Sequence, residues 1–216
     1  MTVTLYGSRQ STGTQRVLLV LYELNITDYR LSNVDMQKGD HHDPTYVQNL
    51  HPFGRLPVLD DNDTRLFESR AICQYLVAKY GRGSALDTRA EQTFAELAAY
   101  EQTASVEYSY FDPAMKSLAY ENIFKKFMGH GDPDKEEVEK QKTLLVKVLD
   151  HYEKVTSDRE YLMGNQFSLV DLYHMPWVHF LSNLGLQDEI SSRPWLSAWW
   201  KRVSSRPSWK HLMVSP

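Results

Sequence analysis

Residues 51–72, H-P-F-G-R-L-P-V-L-D-D-N-D-T-R-L-F-E-S-R-A-I, restrict the possible folds more than any other stretch of the chain. They spell a loop, a short strand near 57–60 opened by Pro57, a polar turn, a strand near 65–67, and a helix that begins at Glu68-Ser69. Proline lacks a backbone donor and fixes φ, so Pro57 belongs at a strand entrance and not in a strand interior. Leu56 is pushed toward an extended conformation by the proline after it, which lets its N–H and C=O pair with an extended peptide. The helix that follows presents free N–H groups in its first turn, where an anion can sit. Glu68 beside them can hold an ammonium group. An amino acid carries both charges on one carbon, so the segment suits a small peptide with a zwitterionic end.

The flanking sequence supplies a frame for this segment. Residues 2–6 read as a strand and 28–34 as another, with Tyr29 and Leu31 on one face. Between them, residues 12–24 read as a helix, because Val17, Leu18, Leu21 and Leu24 recur at helical spacing. A short helix is expected after Pro44, and a longer one from about Ser69 to Lys79. The order β-α-β-α-β-β-α implies a small α/β domain over residues 1–80, with a parallel half and an antiparallel hairpin half. Residues 81–88 form a Gly/Ser linker, and 89–216 read as an all-α domain. Thr88 with Glu91 is expected to cap the first helix of that domain. Ala90, Phe94, Leu97, Ala104, Tyr108, Phe111 and Met115 follow on one face. Gly129–Asp134 breaks the pattern, and Asp132-Pro133 is expected to open the next helix with proline at its first position. Ser168-Leu-Val-Asp171 forms a second capping box, and Pro176 is expected to kink or end the helix behind it. The late tryptophans Trp195, Trp199, Trp200 and Trp209 read as core.

Composition excludes several classes of function. The net charge of −4 gives no global attraction to nucleic acid or to an anionic membrane. No apolar run reaches membrane-spanning length, and no signal-peptide pattern follows Met1. The single cysteine rules out an internal disulfide and points to a reducing compartment, with the cytoplasm as the default. Cys73 sits mid-helix in A-I-C-Q-Y-L, where it reads as a buried residue and not as a catalytic thiol.

Ser11-Thr12 stands where the first helix starts. Ser11 is either a simple N-cap or a donor to a group bound at the helix N-terminus, and such a position suits a thiolate. Lowering a thiol pKa by ~2 units requires ~2.7 kcal/mol in favour of the anion. A helix N-terminus supplies roughly 0.3–1 kcal/mol, and one hydrogen bond to a charged group ~1.5–3 kcal/mol. Together they suffice, so Ser11 need only donate and need not be a nucleophile. Tyr6, on the first strand, reads as a core or strand-edge aromatic.

The order strand, S-T-G-T-Q-R, H-H-D-P, N-L-H-P-F-G-R-L-P-V-L, L-F-E-S-R-A-I resembles the cytosolic glutathione transferases, and among them the phi class, whose first helix opens with serine. The resemblance covers nearly the whole chain. It implies a thioredoxin-like N-terminal domain and an all-helical C-terminal domain that contributes an electrophile pocket. It also implies a homodimeric detoxification enzyme that uses glutathione as cosubstrate and needs no cofactor or metal. Ser11 would face the sulfur. Leu56 would pair with the cysteinyl residue, with Pro57 in the cis form. Glu68 and Ser69 would hold the γ-glutamyl end, and His41, His42 and Arg55 the glycyl carboxylate. Gly13, His42 and Arg55 depart from the phi pattern, which has asparagine, lysine and glutamine there. Without the resemblance, His41-His42 read equally as a solvated pair and Arg55 as a surface charge.

Candidate pocket residues for a small hydrophobic electrophile are Gln10, Met36, Tyr108, Phe111 and Met115; each could equally be ordinary packing. The expected reaction joins the glutathione thiolate to that electrophile, with reduction of hydroperoxides as a second activity. The alternative is a non-catalytic member of the fold that carries ligands or binds proteins.

Overall fold

The computed structural model describes residues 3–87 and 93–214. The chain divides into two compact units, one running to Asp87 and joined by the residues from Arg206 onward, the other running from Thr88 to Ser205.

In the first unit, β1 (Val3–Gly7) pairs in parallel with β2 (Tyr29–Asn33) and antiparallel with β3 (Val58–Asp61), which pairs antiparallel with β4 (Thr64–Phe67). The sheet order among the described residues is β2–β1–β3–β4. Tyr6 lies opposite Val58, and Val58 opposite Phe67. Side chains alternate between faces of a strand. Tyr6, Val58 and Phe67 therefore share one face, where Tyr46 of α2 (Pro44–Asn49), Val34, Leu50 and Leu56 join them. Leu5 and Leu59 point to the opposite face and are fully buried. Helix α1 (Thr12–Glu23) buries Val17 through Leu21 and packs against α3 (Ser69–Tyr80), which buries Ile72, Cys73, Leu76 and Val77. Asp61 ties the end of β3 to α3. Its Oδ2 accepts from Lys79 Nζ at 2.6 Å, Tyr80 Oη at 2.6 Å and Tyr75 Oη at 2.9 Å. Burial alone would raise the Asp61 pKa, but these donors hold it below the usual carboxylate range.

The expected 89–216 domain requires a correction at its end. Helix α11 (Pro207–Val214) belongs with the first unit because Arg206 grips Glu23 of α1 through two hydrogen bonds, at 2.7 and 2.6 Å. Ser208 also donates to Glu23, and the His211 ring meets Tyr22 edge-on at 4.5 Å. No periodicity in the sequence reports a contact between residues this far apart.

The second unit is helical: α4 (Phe94–Val106), α5 (Asp112–Ala119), α6 (Lys125–Phe127), α7 (Lys135–Val155), α8 (Leu169–Phe180), α9 (Asp188–Ser191) and α10 (Pro194–Ser204). Glu107–Phe111 and Tyr120–Phe124 are π-helical turns between the first three. Thr88, Ala90 and Glu91, the expected cap region, lie outside the described residues. A capping box stands at Thr93 and Glu96. Phe94 and Leu97 are exposed and not on a buried face. Pro133 does not open α7; Asp134 caps it, accepting from Glu136 and Glu137 N–H at 3.0 and 3.2 Å. Helix α8 runs through Pro176 to Phe180. Its residues from Leu169 to Val178 are all buried, and that packing outweighs the one hydrogen bond proline forfeits. Trp199 is buried in the second unit and Trp209 in the first, while Trp195 is half exposed.

Asp171 organises the second unit. It is fully buried and accepts from Leu162 N at 2.9 Å, Ser168 N at 2.9 Å, Ser168 Oγ at 2.8 Å and Trp199 Nε1 at 2.8 Å. Burial raises its pKa, although those donors oppose the shift. Asp171→Ala would strand the donors without acceptors. The expected cost is about 3–5 kcal/mol, read as a lowered urea midpoint at unchanged slope; a loss below about 1 kcal/mol would remove Asp171 from this role.

Candidate active site

The register Tyr6–Val58–Phe67 brings three chain segments to one end of the sheet. Beyond β1 comes Ser11, just before β3 comes Leu56-Pro57, and just after β4 comes Glu68-Ser69. Each segment then has a local device that fits it to the site.

Ser11 is the N-cap of α1. Its backbone is extended (φ −80°, ψ 121°), and its Oγ accepts from Thr14 N–H at 3.3 Å. The hydroxyl hydrogen is not used in that bond and remains available as a donor. No acidic residue lies in the first turn of α1, so nothing there neutralises the positive end of the helix dipole. Gly13 brings this turn against the loop. A Cβ at residue 13 would lie 3.1 Å from both Leu56 O and Pro57 Cδ, and 3.7 Å from Ser11 Oγ. The Leu56–Pro57 bond is cis.

Glu68 has φ +70° and ψ 109°, a left-handed-side conformation that L residues rarely adopt. It stands at the N-cap of α3 without a side-chain cap. Its own side chain is exposed, and Ser69 behind it is buried. The first turn of α3 is also free of acidic residues. The result is an open helix N-terminus with a carboxylate set beside it, at the cost of a strained backbone.

His41 and His42 lie in a short turn, Asp40–His42, with ring centroids 3.9 Å apart. Gly54, at φ +58°, lets the loop of residues 51–57 approach them: a Cβ there would meet His41 O at 2.9 Å and His42 Nδ1 at 3.0 Å. The two histidines thus adjoin the residue before Arg55. His41 Nδ1 is buried without a hydrogen-bond partner among the described residues. Burial lowers the His41 pKa, and the neighbouring His42 lowers it further. Tyr46 Oη donates to Arg55 O at 2.8 Å and anchors the loop from beneath.

The remaining candidates separate. Gln10 is exposed and Met36 half buried. Tyr108 is 57% exposed, whereas Phe111 and Met115 are 0% exposed. Phe111 packs on the Tyr152 and His174 rings inside the second unit. The expected shared wall of Tyr108, Phe111 and Met115 is therefore corrected. The π-turn at Glu107–Phe111 rotates each residue by less than an α-helix would, so spacings of three and four do not keep one face. Tyr6 is a strand residue packed in the sheet cluster, and burial pushes the Cys73 thiol up to about 12. Among the described residues no group of His, Cys, Asp and Glu could hold a metal ion, and no helix is long and apolar enough to cross a membrane.

Two residues that the sequence reading gave no role frame the loop: Tyr46 and His51. The signal for His51 was its place at the head of H-P-F-G, between two apolar runs.

Comparison with known proteins identifies the family. The glutathione S-transferase N-terminal domain family matches residues 1–78, and the C-terminal domain family matches residues 84–207. The chain belongs to the glutathione S-transferase family, a family of enzymes. Plant phi-class enzymes are among its relatives. Glutathione S-transferase PM239X14 of Arabidopsis thaliana is 43% identical over 93% of this chain and 90% of its own length. The crystal structure of glutathione transferase F7 from Populus trichocarpa superposes with a TM-score of 0.88 at 34% identity, covering 98% of this chain and 97% of that one. A glutathione S-transferase I from mais, solved with an atrazine glutathione conjugate, superposes with a TM-score of 0.84 at 28% identity, covering 97% and 95%.

Glu68→Gly should relieve the backbone strain at this position and leave the first unit as stable or more stable, by up to about 1 kcal/mol in chemical denaturation. A loss of stability in that variant would show that Glu68 side-chain contacts outweigh the strain.

Proposed function

We propose that this enzyme binds glutathione extended along Leu56 and uses Ser11 to stabilise its thiolate for attack on a small hydrophobic electrophile. The observation that carries the reading is the position of Ser11 Oγ. It caps α1 through one lone pair, keeps its hydrogen, and stands at an unneutralised helix end whose first turn, at Gly13, lies against Leu56 O and Pro57. An extended tripeptide paired with the Leu56 backbone would reach two further devices. The γ-glutamyl carboxylate would take the N–H groups at the start of α3, with its ammonium on Glu68. The glycyl carboxylate would meet His41, His42 and Arg55, whose polar groups include the unpartnered His41 Nδ1. Catalysis then combines proximity with anion stabilisation. The related protein solved with an atrazine glutathione conjugate supports a glutathione conjugate of a small molecule as the product.

A homodimer is part of the same proposal. Phe53 in the first unit is 70% exposed, and Phe94 and Leu97 in the second are 94% and 40% exposed; these are apolar side chains that a second copy of the chain would cover. The cytoplasm fits a chain whose single cysteine is buried and reduced.

Ser11→Ala is expected to bind glutathione within about threefold of the parent while turnover falls roughly 10²-fold, the range for removing one donor to a reacting anion. The pKa of bound glutathione, followed by thiolate absorbance, should rise in parallel. Full activity of that variant across neutral pH would end the role given to Ser11. Glu68→Ala should weaken glutathione binding by at least tenfold, the effect of losing a charged contact; an unchanged dissociation constant would count against the γ-glutamyl assignment.

A further inference from the structure

His51 is the most buried titratable side chain next to the loop, at 1% exposure, and nothing in the reaction requires it. Its Nδ1 accepts the backbone N–H of Phe53 at 3.3 Å. That is the bond an asparagine or aspartate makes to the residue two positions on in an Asx turn, here made by an imidazole. The backbone of His51 is held as well: its N–H donates to Tyr46 O at 3.2 Å, and its C=O accepts from Gly54 N–H at 2.9 Å. The ring packs on Phe67 at 4.8 Å and on Phe53 at 6.1 Å. Phe67 precedes Glu68, and Phe53 and Gly54 precede Arg55 and Leu56. One side chain therefore touches both halves of the cradle.

We propose that His51 is a positioning residue whose neutral ring, by accepting the Phe53 N–H while stacked on Phe67, holds the Arg55-Leu56 loop in register with Glu68-Ser69 and releases it when Nδ1 is protonated. The proposal rests on the glutathione reading of the site and assigns it a regulation. Only an Nδ1 without hydrogen can accept; a proton there sets two donors against each other. The charged groups acting on the ring are Glu68, from the start of α3, and Arg55, from the loop. Burial lowers the His51 pKa most, Glu68 opposes it and Arg55 adds to it. With a lowered folded pKa, the neutral ring stabilises the closed loop fully above the ordinary histidine pKa of about 6.5. That stabilisation is lost as pH falls from there through the folded value. At pH 5.5, one unit below the reference, the open loop gains at most about tenfold on the closed one.

The test uses the full chain and S-methylglutathione, which has no thiol to titrate. Its dissociation constant is measured at about pH 7.5 and 5.5, on either side of the reference pKa, in the parent, His51→Asn and His51→Phe. In the parent the constant should rise severalfold on acidification, up to about tenfold. His51→Asn supplies an untitratable acceptor at the same place. It should keep neutral-pH affinity and remove this part of the pH dependence, leaving only what groups other than residue 51 contribute. His51→Phe keeps the ring packing without the acceptor and should bind severalfold more weakly at the higher pH. Superimposable profiles for the parent and His51→Asn, or parental affinity in His51→Phe, would overturn the proposal. If a folded parent binds no S-methylglutathione at either pH, the glutathione reading fails instead. The ligand-free proteins then decide the role of His51: the parent should lose more melting temperature than His51→Asn between the two pH values, and equal losses overturn it.

Discussion

The antiparallel registers of β3, with Tyr6 opposite Val58 and Val58 opposite Phe67, are the constraint on which the rest of the first unit depends. A slip of one residue would turn Val58 and Phe67 to the other face, because side chains alternate along a strand. It would also move Leu56 away from the first turn of α1 and Glu68 away from the loop. The register is held at one end by the Tyr6–Val34–Tyr46–Val58 cluster and at the other by Asp61, on which Lys79, Tyr75 and Tyr80 converge. Glu23 with Arg206 and Ser208 anchors the far end of α1. The scaffold is thus satisfied in its hydrogen bonds where it bears load.

The candidate site shows the opposite character. Two helices whose first turns lack acidic residues, a glutamate at φ +70° and an imidazole nitrogen buried without a partner among the described residues gather at one end of the sheet. Each is locally unfavourable by itself. On the proposed reading, the open helix ends and the unpartnered nitrogen would find partners in the ionic ends of a peptide, while the strained Glu68 backbone serves to place its carboxylate. A site built this way gains more from its ligand than a fully satisfied surface would, since binding supplies partners that folding left out.

Much of the first unit was legible in the residues because its signals are local. Helical spacing of Val17, Leu18 and Leu21, and proline at position 57, each constrain the chain within a few residues. The same holds for the Ser168–Asp171 box. What escaped was of another kind. The place of α11 depends on Arg206 reaching Glu23 across nearly the whole sequence. The burial of Phe111 and Met115 beside an exposed Tyr108 depends on a π-turn, which leaves the apolar pattern unchanged but alters its pitch. Pro176 misleads for a related reason: a local rule assumes that the backbone decides, whereas packing around α8 decides. Within the site, residue types pointed to Ser11, Glu68 and Ser69. The conformation of Glu68 and the support from Tyr46 had no sequence signature, and His51 had only its place at the head of H-P-F-G.

The two readings of Ser11 turn out to be compatible, and the geometry explains why. An N-cap needs an acceptor, and Ser11 Oγ accepts from Thr14 N–H at 3.3 Å. A thiolate needs a donor, and the same hydroxyl still has its hydrogen. Capping also fixes the side chain, so less rotamer freedom remains to be lost when an anion arrives. A free serine donor would have to order itself at the moment of binding. On the proposed reading of Ser11, the cap would contribute to catalysis by preorganisation. Alanine at this position removes both effects at once: about 1 kcal/mol of helix stability for the cap, and a larger share of the thiolate's stabilisation for the donor. The helix dipole that remains supplies too little to ionise the thiol by itself.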